Sequence, residues 1–242
     1  MLPLAYLQPD DVGFPDPDSA LTDPDGLLAA GGDLTPQWLV EAYARGIFPW
    51  FERDDGPIYW WSPAERAVVR PGAMRVTRSL SKRIRNGGFS MSFDGCFEAV
   101  VDACARSRAT SLGTWITPRM QDAYQELYRC GIAHSVEIWQ SEALVGGLYG
   151  VSLGSMFFGE SMFSVQPDAS KIAFYHLNQR LQDWEFTLLD CQMMTSHLAS
   201  LGAEPMARTD FLDLLVQNDL AQTRLGSWQQ DDCSLAPQEK CS

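Results

Sequence analysis

The sequence predicts a mixed α/β fold of the α+β kind, with a small N-terminal domain ahead of a larger one. Three observations predict it. Strand-length apolar runs alternate with helix-period segments, Gly and Pro clusters separate them, and the composition is 45 % hydrophobic and 20 % charged over 242 residues. That length suits one large domain, or a small one beside a larger one, with enough chain for a true core.

Residues 8–36 are rich in Pro, Asp and Gly and read as turns. Thr35-Pro36 then opens a helix, with Thr as N-cap, Pro at the first helical position, and Leu39, Val40 and Tyr43 as its apolar stripe; Gly46 stops it. GIFPWF (46–51) and IYWWSP (58–63) flank a polar, hairpin-like stretch, and the N-terminal domain closes near residue 65. Beyond it, 66–70 reads as a strand and 77–85 as a short basic helix. Asp94 or Gly95 caps a helix through Ala105, whose Phe97, Val100, Val101 and Cys104 recur at helical spacing. Thr117-Pro118 opens a helix over 118–130, ended by Gly131. Strands follow at 134–140, 143–151 and 155–158, then a helix over 170–184 and a strand over 186–192. Segments 198–202 and 210–215 complete the pattern. The division is therefore 1–65, 66–226, and a polar tail without periodicity, 227–242, expected to be flexible.

Charge is uneven. The net charge is −13, which disfavours nonspecific binding along nucleic acid, because phosphate contacts need cations. Yet Met1 to Ala44 holds no Lys or Arg, while Arg66, Arg70, Arg75, Arg78, Lys82, Arg83 and Arg85 fall in 66–93 with no acid among them. Such a segment is either a local phosphate-docking surface or a solvated face that neutralises acidic neighbours. The most apolar stretch, 143–159, is interrupted by five Gly and suits strands better than a membrane span. MLPLAYLQPDD lacks the basic start and apolar core of a signal peptide. Six Cys occur without a CxxC pair, which argues against structural zinc or a disulfide framework and for a cytoplasmic protein with no membrane partner.

The sequence contains no Walker, GxGxxG or HExxH motif. His134, His176 and His197 have no neighbouring nucleophile or metal-ligand pattern and read as structural. Two places break local rules. LLDCQ (188–192) ends an apolar run with Asp190 and Gln192, which share a face if the strand runs through them; Cys191 then points away and packs. Asp190 there either lies at a cleft or caps the next helix, since a buried acid is costly unless bonded. SMFFGESMFS (155–164) sets Glu160 among aromatics, where an acid is either paired with a structural Arg or lines a pocket. Eight Trp are present; Trp50, Trp60, Trp61 and Trp115 stand in loop-like contexts, suited to core packing or to stacking on a nucleobase.

GLLAAGGDLTP (26–36), GIFPWF (46–51), WWSP (60–63), GTWIT (113–117), HSVEIW (134–139), LVGGLYGV (144–151), FGESMFS (158–164), ASK (169–171), LLDCQ (188–192) and SLGA (200–203) occur together and in this order. The combination resembles the bacterial leucyl/phenylalanyl-tRNA–protein transferases over about residues 14–215. The resemblance implies an acetyltransferase-like (GNAT) larger domain and no metal or small-molecule cofactor. It implies transfer of Leu or Phe, and Met less well, from aminoacyl-tRNA to acceptor proteins beginning with Arg or Lys, which marks them for degradation.

Carried over by motif, Asp190 and Gln192 are the catalytic pair, acting as a proton relay or by positioning the acceptor. Glu160 fixes the substrate end or the cationic acceptor, and Trp50 and Trp115 lie near the tRNA 3′-adenosine. Leu148, Phe157, Gly159, Phe174, Leu177 and Leu189 form the amino-acid pocket, and Arg78, Lys82 and Arg85 meet tRNA phosphates. On this reading Asp190→Ala lowers turnover more than tRNA affinity. The sequence departs from the family at 174 and 177, where aliphatic and aromatic residues stand in the opposite order, and at Ser81 and Asn86, where further cations are expected. An acyl-CoA-dependent N-acyltransferase of the same fold is the rival enzyme, but its Arg/Gln-x-x-Gly-x-Gly/Ala pyrophosphate loop is missing. A non-catalytic tRNA-binding module is the other rival, in which Asp190 and Gln192 are dispensable.

Overall fold

The computed structural model describes residues 4–109 and 116–231. The N-terminal part is a four-stranded sheet of β1 (Ala5–Leu7), β2 (Leu27–Gly31), β3 (Phe48–Pro49) and β4 (Tyr59–Trp61), in spatial order β1-β2-β4-β3, with helix α1 (Pro36–Ala44) between β2 and β3. Pro36 occupies the first turn of α1, where no backbone donor is needed; Thr35 precedes it but makes no side-chain cap bond. Gly46, at φ +70°, ends the helix in the left-handed region, and Ile47 N–H donates back to the Ala42 carbonyl at 2.8 Å. Trp38 stacks on Trp60 at 6.0 Å, and Phe14 meets both edge-on.

The larger sheet has seven strands: β5 (Glu65–Val69), β6 (Phe89–Phe93), β7 (Ala133–Gln140), β8 (Ala143–Leu153), β9 (Met156–Ser164), β10 (Leu188–Asp190) and β11 (Glu204–Ala207), in order β11-β5-β10-β9-β8-β7-β6. Helices α3 (Phe97–Ala109) and α4 (Pro118–Arg129) lie on one face. Helices α2 (Arg78–Asn86) and α5 (Ala169–Asp183) cover the other. The short α6 (Ser196–Ser200) and α7 (Arg208–Gln217) follow β10 and β11. Thr77 and Thr117 cap α2 and α4 through their hydroxyls.

Strand alternation assigns neighbours to opposite faces. Leu148, Phe157 and Leu189 pack towards α5, whereas Tyr149, Phe158 and Leu188 join the core shared with α1, α3 and α4. That second core runs without a break into the N-terminal sheet.

Three expectations are corrected. β9 runs on to Ser164 rather than ending at 158, and β10 is confined to Leu188–Asp190. The segment from 227 begins docked: Trp228 is buried, its ring stacks on His134 at 3.9 Å, and its backbone N–H donates to Asp94 Oδ2 at 2.8 Å. Residues 232–242 lie outside the described ones. Among the described residues, Cys104, Cys130 and Cys191 are free thiols.

Candidate active site

The site arises where two parallel strands part. β10 pairs with β9 from Leu188↔Met156 to Asp190↔Phe158 and no further. Beyond that point β9 continues along β8, while the chain after β10 stays on β5, with which β10 is already paired: Cys191 N–H donates to the Ala67 carbonyl, and Ala67 N–H to the Gln192 carbonyl. Two local devices make the parting. Gln192 sits at φ +64°, a left-handed backbone that breaks strand alternation. In β9 the register slips between Tyr149↔Ser161 and Gly150↔Gly159, which leaves Glu160 as the extra residue of a β-bulge. Gly150 permits this, because a Cβ there would sit 2.3 Å from the Phe158 carbonyl.

Between the strands lies a cavity of about 210 Å³. Leu148, Gly159, Phe174, Leu177 and Leu189 supply an apolar wall, Trp50 and Phe48 close it from the N-terminal part, and Glu160 and Gln192 stand at its polar end. Eight of the expected site residues therefore converge: Trp50, Leu148, Gly159, Glu160, Phe174, Leu177, Leu189 and Gln192. Phe157 does not line the cavity. It packs behind it, against Gly150 and Trp228. Trp115 lies outside the described residues. Of the other tryptophans, Trp60 is core, with its Nε1–H given to the Gly31 carbonyl, and Trp61 braces Trp50 by donating to its carbonyl at 2.9 Å.

Of the two readings open for Glu160, pocket lining holds, whereas Asp190 takes an arginine partner instead of a cleft or a helix cap. Asp190 is fully buried and does not reach the cavity. Its Oδ1 accepts from Arg66 Nε at 3.2 Å and from Gln192 N–H at 2.9 Å, and its Oδ2 accepts from Arg66 Nη2. Arg66, itself 1 % exposed, lies over the rings of Phe48 and Phe211 at 4.9 and 4.7 Å. Arg66 thus leaves the basic stretch and becomes a core ion pair. The shared face expected for Asp190 and Gln192 is lost at the φ of Gln192, and Cys191 faces the cavity instead of packing away from it. Burial, with the charge of Asp190, pushes the Cys191 thiol up, so it is no nucleophile at neutral pH.

Among the described residues no arginine bonds Glu160. Its Oε1 accepts from Tyr43 at 2.8 Å and Gln192 Nε2 at 2.7 Å, and its Oε2 accepts from Tyr124. Burial, reinforced by the charge of Asp190, raises it to about 7, although both tyrosine bonds and Arg66 oppose the rise. The Gln192 amide is consequently held with its nitrogen on Glu160, and nothing among the described residues donates to its Oε1, which is left for the cavity. Neither tyrosine was legible as functional: Tyr43 reads as helix stripe and Tyr124 as one residue of an amphipathic helix. The available signal was that an acid within an apolar strand needs buried donors.

Thr195, His197 and Leu198 also line the cavity. Burial, then Lys171, lowers His197 and keeps its imidazole neutral. His134 is structural, bonded through Nδ1 to Asp94 at 2.9 Å. Arg78, Lys82 and Arg85 are exposed along one side of α2, away from the cavity lining. Arg83 is turned back to the Pro167 carbonyl.

Residues 68–216 match the family model described as leucyl/phenylalanyl-tRNA protein transferase, and residues 32–64 match that of its N-terminal domain. The chain belongs to this family. Similar relatives include leucyl/phenylalanyl-tRNA–protein transferases from Chromohalobacter salexigens, 55 % identical over 93 % of this chain and 88 % of the relative, and from Azotobacter vinelandii, 52 % identical over 91 % and 97 %. Among solved structures, likenesses are distant. A GCN5-related N-acetyltransferase from Kribbella flavida gives a TM-score of 0.37 at 13 % identity over 71 % of this chain and 61 % of that one. L-PGS from Bacillus licheniformis gives 0.42 at 12 % over 68 % and 53 %. These assign no chemistry.

Two expected results follow for this transferase. A Cβ at Gly159 would make only ordinary contacts, 3.4 Å from the Asp190 carbonyl and 3.8 Å from Leu189 Cδ1. Gly159→Ala therefore folds normally and puts a methyl at the cavity wall. On the reading that this cavity takes the donor's side chain, the ratio of kcat/KM values for Leu and Phe donors should change by about tenfold or more; an unchanged ratio removes Gly159 from that role. The second concerns pH. Folded Glu160 keeps its proton up to about 7, whereas the ordinary value is 4.5. The native state thus binds more protons between these values, and stability falls as pH rises through that window. Glu160→Gln should flatten that slope in urea titrations; a variant with the wild-type slope contradicts the raised carboxyl.

Proposed function

We propose that this aminoacyltransferase moves Leu or Phe, and Met less well, from aminoacyl-tRNA to the α-amino group of cytoplasmic proteins that begin with Arg or Lys, marking them for degradation. The observation that carries it is the pairing of an apolar slot with one fixed carbonyl acceptor, Gln192 Oε1, at its polar end. The leaving group supplies the driving force. The amine nitrogen attacks the ester carbonyl carbon, the new C–N bond forms as the C–O bond to the tRNA breaks, the amine loses a proton and the departing oxygen gains one. An α-amine has a reference pKa of about 7.7–8.0, so part of it is already neutral. What remains is alignment, proton removal and stabilisation of the developing oxyanion.

In this mechanism Gln192 Oε1 accepts the hydrogen bond of the attacking amine. Asp190 acts one step back, holding the Gln192 backbone. Leu148, Phe174, Leu177 and Leu189 take the amino-acid side chain, and Trp50, half-buried at the cavity, offers a stacking face to the 3′-adenosine, a role proposed for Trp115 as well. Phe157 supports this wall from behind. The N-terminal part, residues 1–65, closes the slot through Phe48 and Trp50, and the larger domain, 66–226, carries the chemistry.

Radiolabelled Phe-tRNA, pure protein and a casein fragment beginning with Arg test the reading together. Label in the peptide, lost when the fragment begins with Asp, supports it; label that requires acetyl-CoA, or tRNA retention without transfer, overturns it. Arg78, Lys82 and Arg85 are proposed to meet tRNA phosphates. Neutralising Arg78 and Lys82 should weaken tRNA binding and reduce the log–log salt slope by about 1.4–1.8. An unchanged slope takes α2 out of the tRNA site.

A further inference from the structure

Tyr43, Tyr124 and Glu160 are joined by more contacts than their hydroxyl hydrogens can fill. Tyr43 OH lies 2.8 Å from Glu160 Oε1, Tyr124 OH bonds Glu160 Oε2, and the two hydroxyls lie 2.7 Å from each other. Each contact needs one hydrogen, and the tyrosines bring one apiece. With Glu160 ionised, one of three buried oxygen–oxygen contacts has none. With Glu160 protonated, all are filled: Glu160 donates to Tyr124, Tyr124 to Tyr43, and Tyr43 back to the other carboxyl oxygen. That oxygen still accepts from Gln192 Nε2.

We propose that Tyr43, Tyr124 and Glu160 form a closed hydrogen-bonded ring that holds three protons and opens when Glu160 loses one, and that both tyrosines are positioning residues which lock Glu160 and, through it, the Gln192 amide. The ring spans the molecule's two parts, since Tyr43 comes from α1 and Tyr124 from α4. It changes the meaning of Glu160: at 6 % exposure, with its oxygens turned to tyrosines and Gln192, it is a strut within the site rather than an open seat for a cation.

The surrounding groups agree. Burial and the Glu160 charge raise both tyrosines well above the usual phenol range, so Glu160 is the member that titrates, near 7. Tyr149 faces the tyrosines from β8, Asp190 and Arg66 lie behind the carboxyl with opposite signs, and Cys191 and His197 line the cavity as neutral groups. None of them removes the need for the third hydrogen.

The ring rests on the transferase reading only for its effect on rate, so it is tested without the reaction. Infrared titration of the full chain between pH 5 and 9 should show the carbonyl stretch of a protonated carboxyl that disappears near pH 7 and is absent from Glu160→Gln. The subtraction separates it from Glu137, a second buried carboxyl raised by burial. Tyr43→Phe and Tyr124→Phe should each displace that midpoint and lower kcat several-fold with little change in KM for aminoacyl-tRNA. No such band in the wild type, which needs no variant to fold, means that Glu160 is ionised throughout and overturns the ring. A midpoint indifferent to both substitutions overturns the positioning role. Failure of transfer with the band intact counts only against the function.

Discussion

Asp190→Ala is expected to destabilise the fold by about 3–5 kcal/mol, because removing one partner of a buried ion pair leaves the other charge uncompensated. Arg66 would remain 1 % exposed, packed over Phe48 and Phe211, with only the Gly46 carbonyl at 3.4 Å still accepting from it. Urea unfolding checks this directly, and an unfolding midpoint equal to that of the wild type contradicts it. The paired substitution Arg66→Met with Asp190→Leu, which removes both charges and keeps apolar volume, should recover most of the loss. Transfer should not recover with it, since the Gln192 N–H then loses its acceptor at 2.9 Å. The sequence-based expectation that Asp190→Ala mainly lowers turnover is therefore revised. Turnover and tRNA affinity fall together with the folded fraction, and only the stabilised double variant isolates the positioning of Gln192.

How much of this was legible beforehand is seen residue by residue. Helices opened by Thr-Pro or Thr caps and closed by Gly were readable, because capping chemistry is local: α1, α2 and α4 begin where Thr35, Thr77 and Thr117 place them. Strands read from apolar runs stood in place but not at full length. β9 hides its bulge, because an extra residue at 160 leaves the local pattern of apolar and polar side chains nearly unchanged. The site motifs marked Glu160, Asp190 and Gln192, but their side-chain partners lie 32 to 124 residues away along the chain. Arg66 belongs by sequence to a basic segment and by structure to the core. Nothing local distinguishes it from Arg70 or Arg75. Trp228 was missed because five polar residues surround it and its partners, His134 and Asp94, are remote.

Gln192 carries the central claim, that one carbonyl fixed at the end of an apolar slot receives the amine while the rest of the site holds geometry. The most direct measurement is single-turnover transfer of Phe from Phe-tRNA to an Arg-starting peptide by Gln192→Ala, alongside its Kd for Phe-tRNA. Loss of a positioned proton acceptor should slow the transfer step by about a hundredfold or more. The Kd should stay at the wild-type value, because Gln192 is 8 % exposed and lies apart from the Arg78, Lys82 and Arg85 face. A transfer rate that survives the substitution, or a Kd that weakens by the same factor as the rate, contradicts the account.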